Sequence, residues 1–228
     1  MDYIPEYPFV PMLLDTAALP FDDRNYAFEV KYDGVRMTAR FCGGETALYN
    51  RRLNERTRRY PEIAAQVKAL CAASGAGATV LDGEIIALSD GGLPDFYRVM
   101  KRDRVEIPTP SFVKEIPVYF MVFDITEFNG SPLYGTEYAL RREVLESVFN
   151  TAERGADGAG KNGGGLETPN IKLTDSIAEN GGALFAAAKN EGLEGIVAKR
   201  LDSVYSPDTR SRDWLKIKID DYRRPQSS

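Results

Sequence analysis

The chain has 228 residues, of which 43% are hydrophobic, enough for a sizeable core in one large domain or in one domain with two lobes. It contains no histidine, which excludes Ser-His catalytic triads, histidine metal sites and histidine acid–base chemistry. The net charge of −5, taken alone, argues against nucleic-acid binding, so any such activity must depend on local clusters of basic residues.

Two further features bear on where the chain works. It has no run of 18 apolar residues, and its amino-terminal residues lack a basic region followed by an apolar stretch. We therefore expect no membrane span, no secretory signal and a cytoplasmic location. Cys42 and Cys71 have no metal-ligand spacing, so we expect two buried, reduced thiols.

The predicted elements alternate between strands and helices. Residues 1–25 are rich in Pro and Asp and are expected to form an irregular lead-in. Apolar periodicity then predicts strands at 26–41, 46–52, 78–88, 118–128, 194–201 and 213–219. It predicts helices at 60–73, 95–102, 138–149 and 183–192. Strands in blocks with interspersed helices indicate an α+β fold with mainly antiparallel sheets.

Two basic segments stand out on this acidic chain. Residues 50–60 carry five arginines against one acidic residue, and residues 98–104 add four more basic side chains. We expect these segments to form a face that meets phosphates.

The segment 155–162 fits the Gly-x-x-x-x-Gly-Lys pattern of phosphate-binding loops, but Asn162 occupies the position of the metal-binding Ser or Thr. It also follows a predicted helix, whereas a phosphate-binding loop follows a strand. We therefore interpret this segment as a flexible, glycine-rich surface loop.

Three predicted strands each carry two charged residues at alternate positions, which share one face of a strand. The pairs are Lys31 and Asp33, Asp82 and Glu84, and Lys216 and Lys218. One such pair is typical of a solvated strand face. Three pairs, each flanked by apolar residues of the core, predict a charged pocket.

Lys31 opens the sequence KYDGVR, which resembles the Lys-x-Asp-Gly-x-Arg motif of the covalent nucleotidyltransferases, namely DNA ligases, RNA ligases and mRNA capping enzymes. Other segments resemble further motifs of that family in the same order: NRRL, LDGEII, VYFMVFDI, EGIVAKR and WLKIK. NRRL departs from the family's Ser-Arg-x-Gly, because Asn50 replaces Ser and Leu53 replaces Gly. The resemblance covers nearly the whole chain and is strongest to the ligase domain of prokaryotic end-joining DNA ligases.

This resemblance implies a fold. We expect residues 1–228 to form a two-lobed α+β nucleotidyltransferase domain, with mainly antiparallel sheets flanked by helices and an ATP-grasp-like architecture. Ligases of this family normally continue into an OB-fold that clamps the duplex. The residues after WLKIK are too few for a barrel, so we expect the OB-fold to be absent from this chain, through truncation or because a separate chain supplies it.

The resemblance also implies an ATP-dependent DNA ligase that works in DNA break repair. Lys31 would attack the α-phosphate of ATP, and the resulting lysyl-AMP would pass AMP to a DNA 5′-phosphate before a 3′-hydroxyl closes the backbone. The attacking amine must be neutral, and nearby cations favour that form: Arg36, Lys216, Lys218 and Mg²⁺ (or Mn²⁺). The alternatives are an RNA ligase, a GTP-using capping enzyme and a non-catalytic domain that binds nucleotide or DNA ends.

The family pattern carries over to individual residues. It implies contacts to the nucleotide from Glu29, Arg36, Arg51, Glu84, Phe123, Glu194, Lys216 and Lys218. Of these, Glu84 and Glu194 would also contact the metal, since Mg²⁺ prefers oxygen ligands. Glu29 would read the adenine amino group, or else be an ordinary exposed strand residue. Phe123 would stack on adenine, or else pack in the core.

The implied partners are nicked or broken duplex DNA, an OB-fold and other end-joining proteins. The resemblance implies that DNA is contacted by Arg51, Arg52, Arg58 and Arg59. Arg51 would contact the 5′-phosphate, whereas the other three would grip the duplex backbone, which gives affinity without sequence specificity. We expect such a protein to be associated with the nucleoid of a prokaryote.

Overall fold

The protein contains two β-sheets in a computed structural model that describes residues 7–158 and 168–224. The strands are β1 Leu13–Thr16, β2 Asp23–Val30, β3 Val35–Cys42, β4 Glu45–Asn50, β5 Thr79–Ala87, β6 Val118–Phe128, β7 Ser131–Pro132, β8 Ile171–Leu173, β9 Ser176–Glu179, β10 Gly195–Arg200 and β11 Arg210–Lys218. The helices are α1 Pro61–Ser74, α2 Phe96–Arg104, α3 Pro110–Glu115, α4 Tyr138–Gly158 and α5 Gly181–Asn190. In this part of the chain, none of the helices is both long and apolar enough to cross a membrane.

The first sheet has the strand order β1-β11-β10-β2-β9, and the second has the order β4-β3-β5-β6-β7 with β8 beside β6. The pairs β1/β11 and β6/β8 are parallel, whereas the other pairs are antiparallel. This architecture confirms the prediction of an α+β fold with mainly antiparallel sheets.

The predicted strand at 26–41 is wrong in one important respect, because the chain leaves the first sheet after Val30 and enters the second at Val35. The crossing segment ends at Gly34, where an added Cβ would lie 2.3 Å from the backbone oxygen of Ile85. Only glycine fits so close an approach. The alternation pattern predicted that Lys31 and Asp33 share a strand face. That prediction is wrong, because both residues lie in the segment that crosses between the sheets.

The shorter elements escaped the sequence analysis. The lead-in of residues 1–25 contains β1 and the start of β2, and the prediction of an irregular segment is wrong there. Helix α4 extends through residue 158, so residues 155–158 are helical, and the rest of the predicted glycine-rich loop lies outside the described residues.

Cys71 is buried, and burial raises its thiol pKa to about 12. Cys42 is exposed at the β3–β4 turn, contrary to expectation.

The core lies in three clusters. The largest packs the second sheet against α1 and α4, and α1 contributes the residues that its periodicity predicted, Ile63, Val67 and Leu70. A second cluster packs the first sheet against α5. The third is aromatic and includes Phe9, Met12, Tyr138, Tyr205 and Trp214. It draws on β11 of the first sheet and on β5 of the second, so it joins the two sheets.

A buried ion pair reinforces that junction. Arg141 of α4 and Asp124 of β6 are fully buried, and two guanidinium nitrogens donate to the two carboxylate oxygens at 2.9 and 2.8 Å. The third nitrogen of Arg141 donates to the backbone oxygens of Thr136 and Ser203. These bonds compensate the cost of burying both charges, and they attach α4 to the loop that follows β10 of the first sheet.

Candidate active site

One buried carboxylate contacts two of the lysines that line the cleft between the two sheets. Glu194 is 6% exposed, and its two oxygens contact the ammonium groups of Lys31 at 2.6 Å and Lys218 at 2.8 Å. The Lys31 backbone N–H also donates to the carbonyl oxygen of Gly195. Gly195 has φ +151°, and an added Cβ would lie 2.2 Å from the Ile217 oxygen. The EG sequence thus keeps β10 close enough to β11 for one carboxylate to reach both lysines.

The cleft has a volume of about 940 Å³ and collects most of the predicted site residues. Its charged lining comprises Lys31, Arg36, Arg51, Arg52, Arg56, Glu84, Asp103, Arg210, Lys216 and Lys218. Lys216 has a lowered pKa, chiefly through burial and then through the neighbouring charges of Arg210, Lys218 and Lys31. The excess of cations over carboxylates makes this cleft an anion site.

Arg36 is fixed at the floor of the cleft by a residue that the sequence analysis did not assign to the nucleotide site. Its Nε and Nη2 atoms donate to the two carboxylate oxygens of Asp82 at 2.6 Å each. Tyr205 donates a third hydrogen bond to Asp82. Burial lowers the pKa of Arg36, but Asp82 outweighs burial and raises it, so Arg36 remains a cation. Its guanidinium carbon lies 4.5 Å from the centre of the Phe123 ring.

Glu84 pairs with Arg36 across strands β5 and β3. Burial raises its pKa to about 7, with Asp82 and Glu194 adding to the shift and Arg36 and Lys31 opposing it. The cost of ionising this carboxyl group falls when a cation binds beside it. Glu84 is therefore an acid that a positively charged ligand would convert fully to the carboxylate near neutral pH.

The carboxylates of Glu84 and Glu194 fit a magnesium site of the kind that substrate phosphates complete. Mg²⁺ takes oxygen ligands, usually one or two carboxylates with phosphate oxygens and water. Among the described residues, no group of three or more His, Cys, Asp or Glu side chains forms a metal cage. Glu84 and Glu194 are therefore the residues that would hold the ion, although both Glu194 oxygens now contact lysines.

A narrow second pocket, between β2, β6 and β10, contains Glu29, Phe123 and Lys199. Glu29 is 2% exposed, so its interpretation as an ordinary exposed strand residue is wrong. Tyr138 donates to one of its oxygens, and Lys199 contacts the other at 2.8 Å. Burial lowers the pKa of Lys199, although Glu29 opposes the shift. The Glu29 carboxylate and the Lys199 ammonium thus form a buried ion pair in the wall of this pocket.

Phe123 lies between the narrow pocket and the aromatic core cluster, and its stacking on adenine stays a prediction. Its ring lines the narrow pocket and is half-buried, and it packs edge-on against Trp214 with ring centres 6.4 Å apart. The Lys199 ammonium lies 4.5 Å from the centre of the Phe123 ring and 4.4 Å from that of Trp214. A lysine in an otherwise apolar strand is the sequence signal that marks Lys199, and its partners lie far away along the chain.

The NRRL segment forms a tight turn at the rim of the cleft. The side-chain oxygen of Asn50 accepts the backbone N–H groups of Arg52 and Asn54 at 3.0 Å each. Leu53, which stands where the family has glycine, has φ +60°. Asn50 therefore holds the turn in shape despite the strained backbone, and Arg51 and Arg52 extend exposed into the cleft.

The other basic residues differ in their surroundings. Arg58 is exposed and lies 3.3 Å from Glu106, whereas Arg59 is half-buried and donates to the backbone oxygen of Asp103. The expectation that segment 98–104 meets phosphates is wrong at Arg102. This side chain is fully buried and donates to Glu62 and to the backbone oxygen of Arg59.

Comparison with known proteins agrees with this site. A family model described as "ATP dependent DNA ligase domain" matches residues 11–218. The chain therefore belongs to the family of ATP-dependent DNA ligase domains. It is 33% identical over 217 residues to the DNA ligase of Thermococcus onnurineus, a match that covers 92% of this chain and 36% of that protein.

Two further matches are to proteins named LigD and DNA ligase D. The multifunctional non-homologous end joining protein LigD of Mycolicibacterium smegmatis is 32% identical over 212 residues, which are 92% of this chain and 24% of LigD. A structure of mycobacterial DNA ligase D complexed with ATP and MES is similar with a TM-score of 0.74 and 28% identity, covering 93% of this chain and 61% of that one. The predicted nucleotidyltransferase fold is confirmed, and the chain spans only part of these relatives.

The buried pair of Glu29 and Lys199 generates a stability prediction. Lys199→Met should lower the free energy of unfolding by about 3–5 kcal/mol, because it leaves the Glu29 carboxylate buried without its cation. Adding Glu29→Gln should recover part of that loss. The measurement is urea unfolding of Lys199→Met, of Glu29→Gln and of the double variant.

Lys189→Met, at an exposed position of α5, is the matched control and should change stability by less than about 0.5 kcal/mol. A double variant that is destabilised as much as the sum of its two single variants would show that the pair does not interact.

Proposed function

We propose that the chain is the catalytic core of an ATP-dependent DNA ligase, with Lys31 as the residue that carries AMP. The observation that carries the proposal is the convergence of Lys31, Glu194, Lys218, Glu84 and Arg36 on one cleft. Membership of the DNA ligase domain family supports the reaction class.

In the first proposed step, the Lys31 amine attacks the α-phosphorus of ATP. A phosphorus–nitrogen bond forms, the bond to pyrophosphate breaks, and pyrophosphate leaves with the electron pair. Lys31 must first lose a proton, and Glu194, 2.6 Å away, is a proton acceptor already in contact with the ammonium group. The contact with Glu194 has to open before attack, because the amine needs its lone pair free.

The remaining groups position the nucleotide and neutralise its charge, which is most of what an enzyme contributes to phosphoryl transfer. Lys216, Lys218 and Arg36 line the path of the phosphates, and Glu29 with Phe123 would receive the adenine. Glu84 and Glu194 would hold Mg²⁺, which would supply positive charge that neutralises the phosphates.

In the next two steps, AMP passes from Lys31 to a DNA 5′-phosphate, and a 3′-hydroxyl then displaces AMP and seals the strand. Arg51 is proposed to contact the 5′-phosphate, because it stands exposed at the rim of the cleft. Arg52, Arg58 and Arg59 are proposed to bind the duplex backbone. The chain as a whole is acidic, with a net charge of −5. Because DNA is an anion, the basic rim is the part of the surface that would bind it.

Among the alternatives, an RNA ligase would use the same cleft, but the relatives are named DNA ligases. A GTP-using enzyme fits less well, because the family model that matches the chain describes an ATP-dependent DNA ligase domain. A non-catalytic domain would have no use for a lysine paired in the centre of the cleft.

We also propose a role in break repair at the nucleoid of a prokaryote, in the company of other end-joining proteins. The similarity to LigD supports this proposal. The relatives are longer than the matched region, which supports a duplex clamp such as an OB-fold as a further partner, in the same protein or as a separate chain.

The nucleophile is tested by two substitutions. Lys31→Ala should abolish covalent attachment of labelled AMP without unfolding the protein. Lys31→Arg should fail as well, because a guanidinium stays protonated and cannot attack. Label retained on either variant after denaturation would rule out Lys31 as the nucleophile.

Arg51 and Arg58 are expected to affect different steps of the reaction. Arg51→Ala should slow transfer of AMP from the preformed lysyl-AMP to a nicked duplex, measured in a single turnover. Arg58→Ala should leave that transfer rate unchanged at saturating DNA, weaken DNA binding and reduce the slope of its salt dependence by about 1. Equal defects in both variants would remove the distinction.

A further inference from the structure

Residues 219–224, which we call the tether, hold the segment that carries Lys31 through hydrogen bonds to Asp33. Asp33, two residues after Lys31, is 6% exposed. Arg224 donates from Nε to Asp33 Oδ2 at 2.7 Å and from Nη2 to Oδ1 at 3.0 Å. The Tyr222 hydroxyl donates to Oδ2 at 3.1 Å. Three hydrogen bonds therefore hold one carboxylate.

The tether is itself anchored at two points. The Arg224 guanidinium carbon lies 3.7 Å from the centre of the Phe96 ring, at the start of α2. At the other end, the Ile219 backbone N–H donates to the carbonyl oxygen of Glu194, and the Tyr222 ring packs among the apolar residues of the first sheet. Residues 219–224 thus connect the backbone of Glu194, whose side chain contacts Lys31, to the segment that carries Lys31.

Such a tether matters because Lys31 is not part of a regular strand. Residues 31–34 cross from one sheet to the other, and a crossing segment has more conformational freedom than a strand interior. An in-line attack at phosphorus needs the nucleophile in a narrow range of positions, and a displacement of about 1 Å can cost on the order of 100-fold in rate.

We infer that Arg224 and Tyr222 are positioning residues for the charging of Lys31, acting through Asp33 to hold the crossing segment in its reactive geometry. This inference rests on the proposed function. Neither side chain would touch ATP or the reacting atoms. Their effect would be confined to the step in which Lys31 is the nucleophile.

The protonation states suit this role. The hydrogen bond to Asp33 contributes most to raising the pKa of Arg224, so its side chain remains a cation. Burial, followed by the Asp33 charge, raises the pKa of Tyr222, so its hydroxyl remains a donor across the working range of pH.

The test compares two reactions of the full chain. In the first, single-turnover charging with labelled ATP, Arg224→Ala should reduce the rate at saturating ATP at least about tenfold, with the KM for ATP within about twofold of wild type. In the second, sealing of a nick that carries a pre-attached 5′-adenylate, the same variant should match wild type, because this reaction bypasses Lys31.

Arg223→Ala is the matched control, because the Arg223 guanidinium contacts the backbone oxygen of Tyr222 and makes no hydrogen bond to Asp33 in the described structure. It should leave charging unchanged. Tyr222→Phe should give an intermediate loss. In an Asp33→Asn background, Arg224→Ala should cost much less than in wild type, since the shared contact is already weakened.

Wild-type charging by Arg224→Ala would overturn the inference. So would equal losses in charging and in sealing of the adenylated nick, which would indicate a general structural role. If the wild-type chain itself takes up no AMP, the proposed function fails, and that result is distinct from either of the others.

Discussion

A single buried carboxylate organises this molecule. Glu194 contacts Lys31 at 2.6 Å and Lys218 at 2.8 Å, so one anion holds a cation of the segment that crosses between the sheets and a cation of β11. Removing it would leave two like charges facing each other in a half-enclosed cleft, which is costly. The close approach of strands that permits this contact depends in turn on Gly195, where no side chain would fit.

Two other cations around the cleft are also paired with carboxylates. Arg36 is compensated by Asp82 and Lys199 by Glu29, and a tyrosine from outside the sheet donates to each carboxylate, Tyr205 in the first case and Tyr138 in the second. These charges can be buried because both oxygens of Asp82 and both oxygens of Glu29 have partners. The two hydroxyl groups connect opposite sides of the cleft, so the electrostatic network also sets how the two sheets face each other.

Much of the fold and the site follows from the sequence, because strand alternation and the spacing of charged residues are local. The helix at Pro61 is of this kind, whereas the grouping of Lys31, Glu84, Glu194 and Lys218 in one site is implied by the resemblance to the ligase family. The rest depends on contacts between distant residues. Alternation runs unbroken through Lys31, so it does not reveal the crossing between sheets. The burial of Glu29 depends on Lys199, 170 positions later, and that of Arg102 depends on Glu62.

The central claim is that Lys31 is the residue in this cleft that carries AMP. The most direct test is mass spectrometry of the purified chain after incubation with ATP and Mg²⁺, followed by peptide mapping of the modified protein. The account predicts one added AMP, located on the peptide that contains Lys31. An unmodified chain, or AMP on any other side chain, would contradict it.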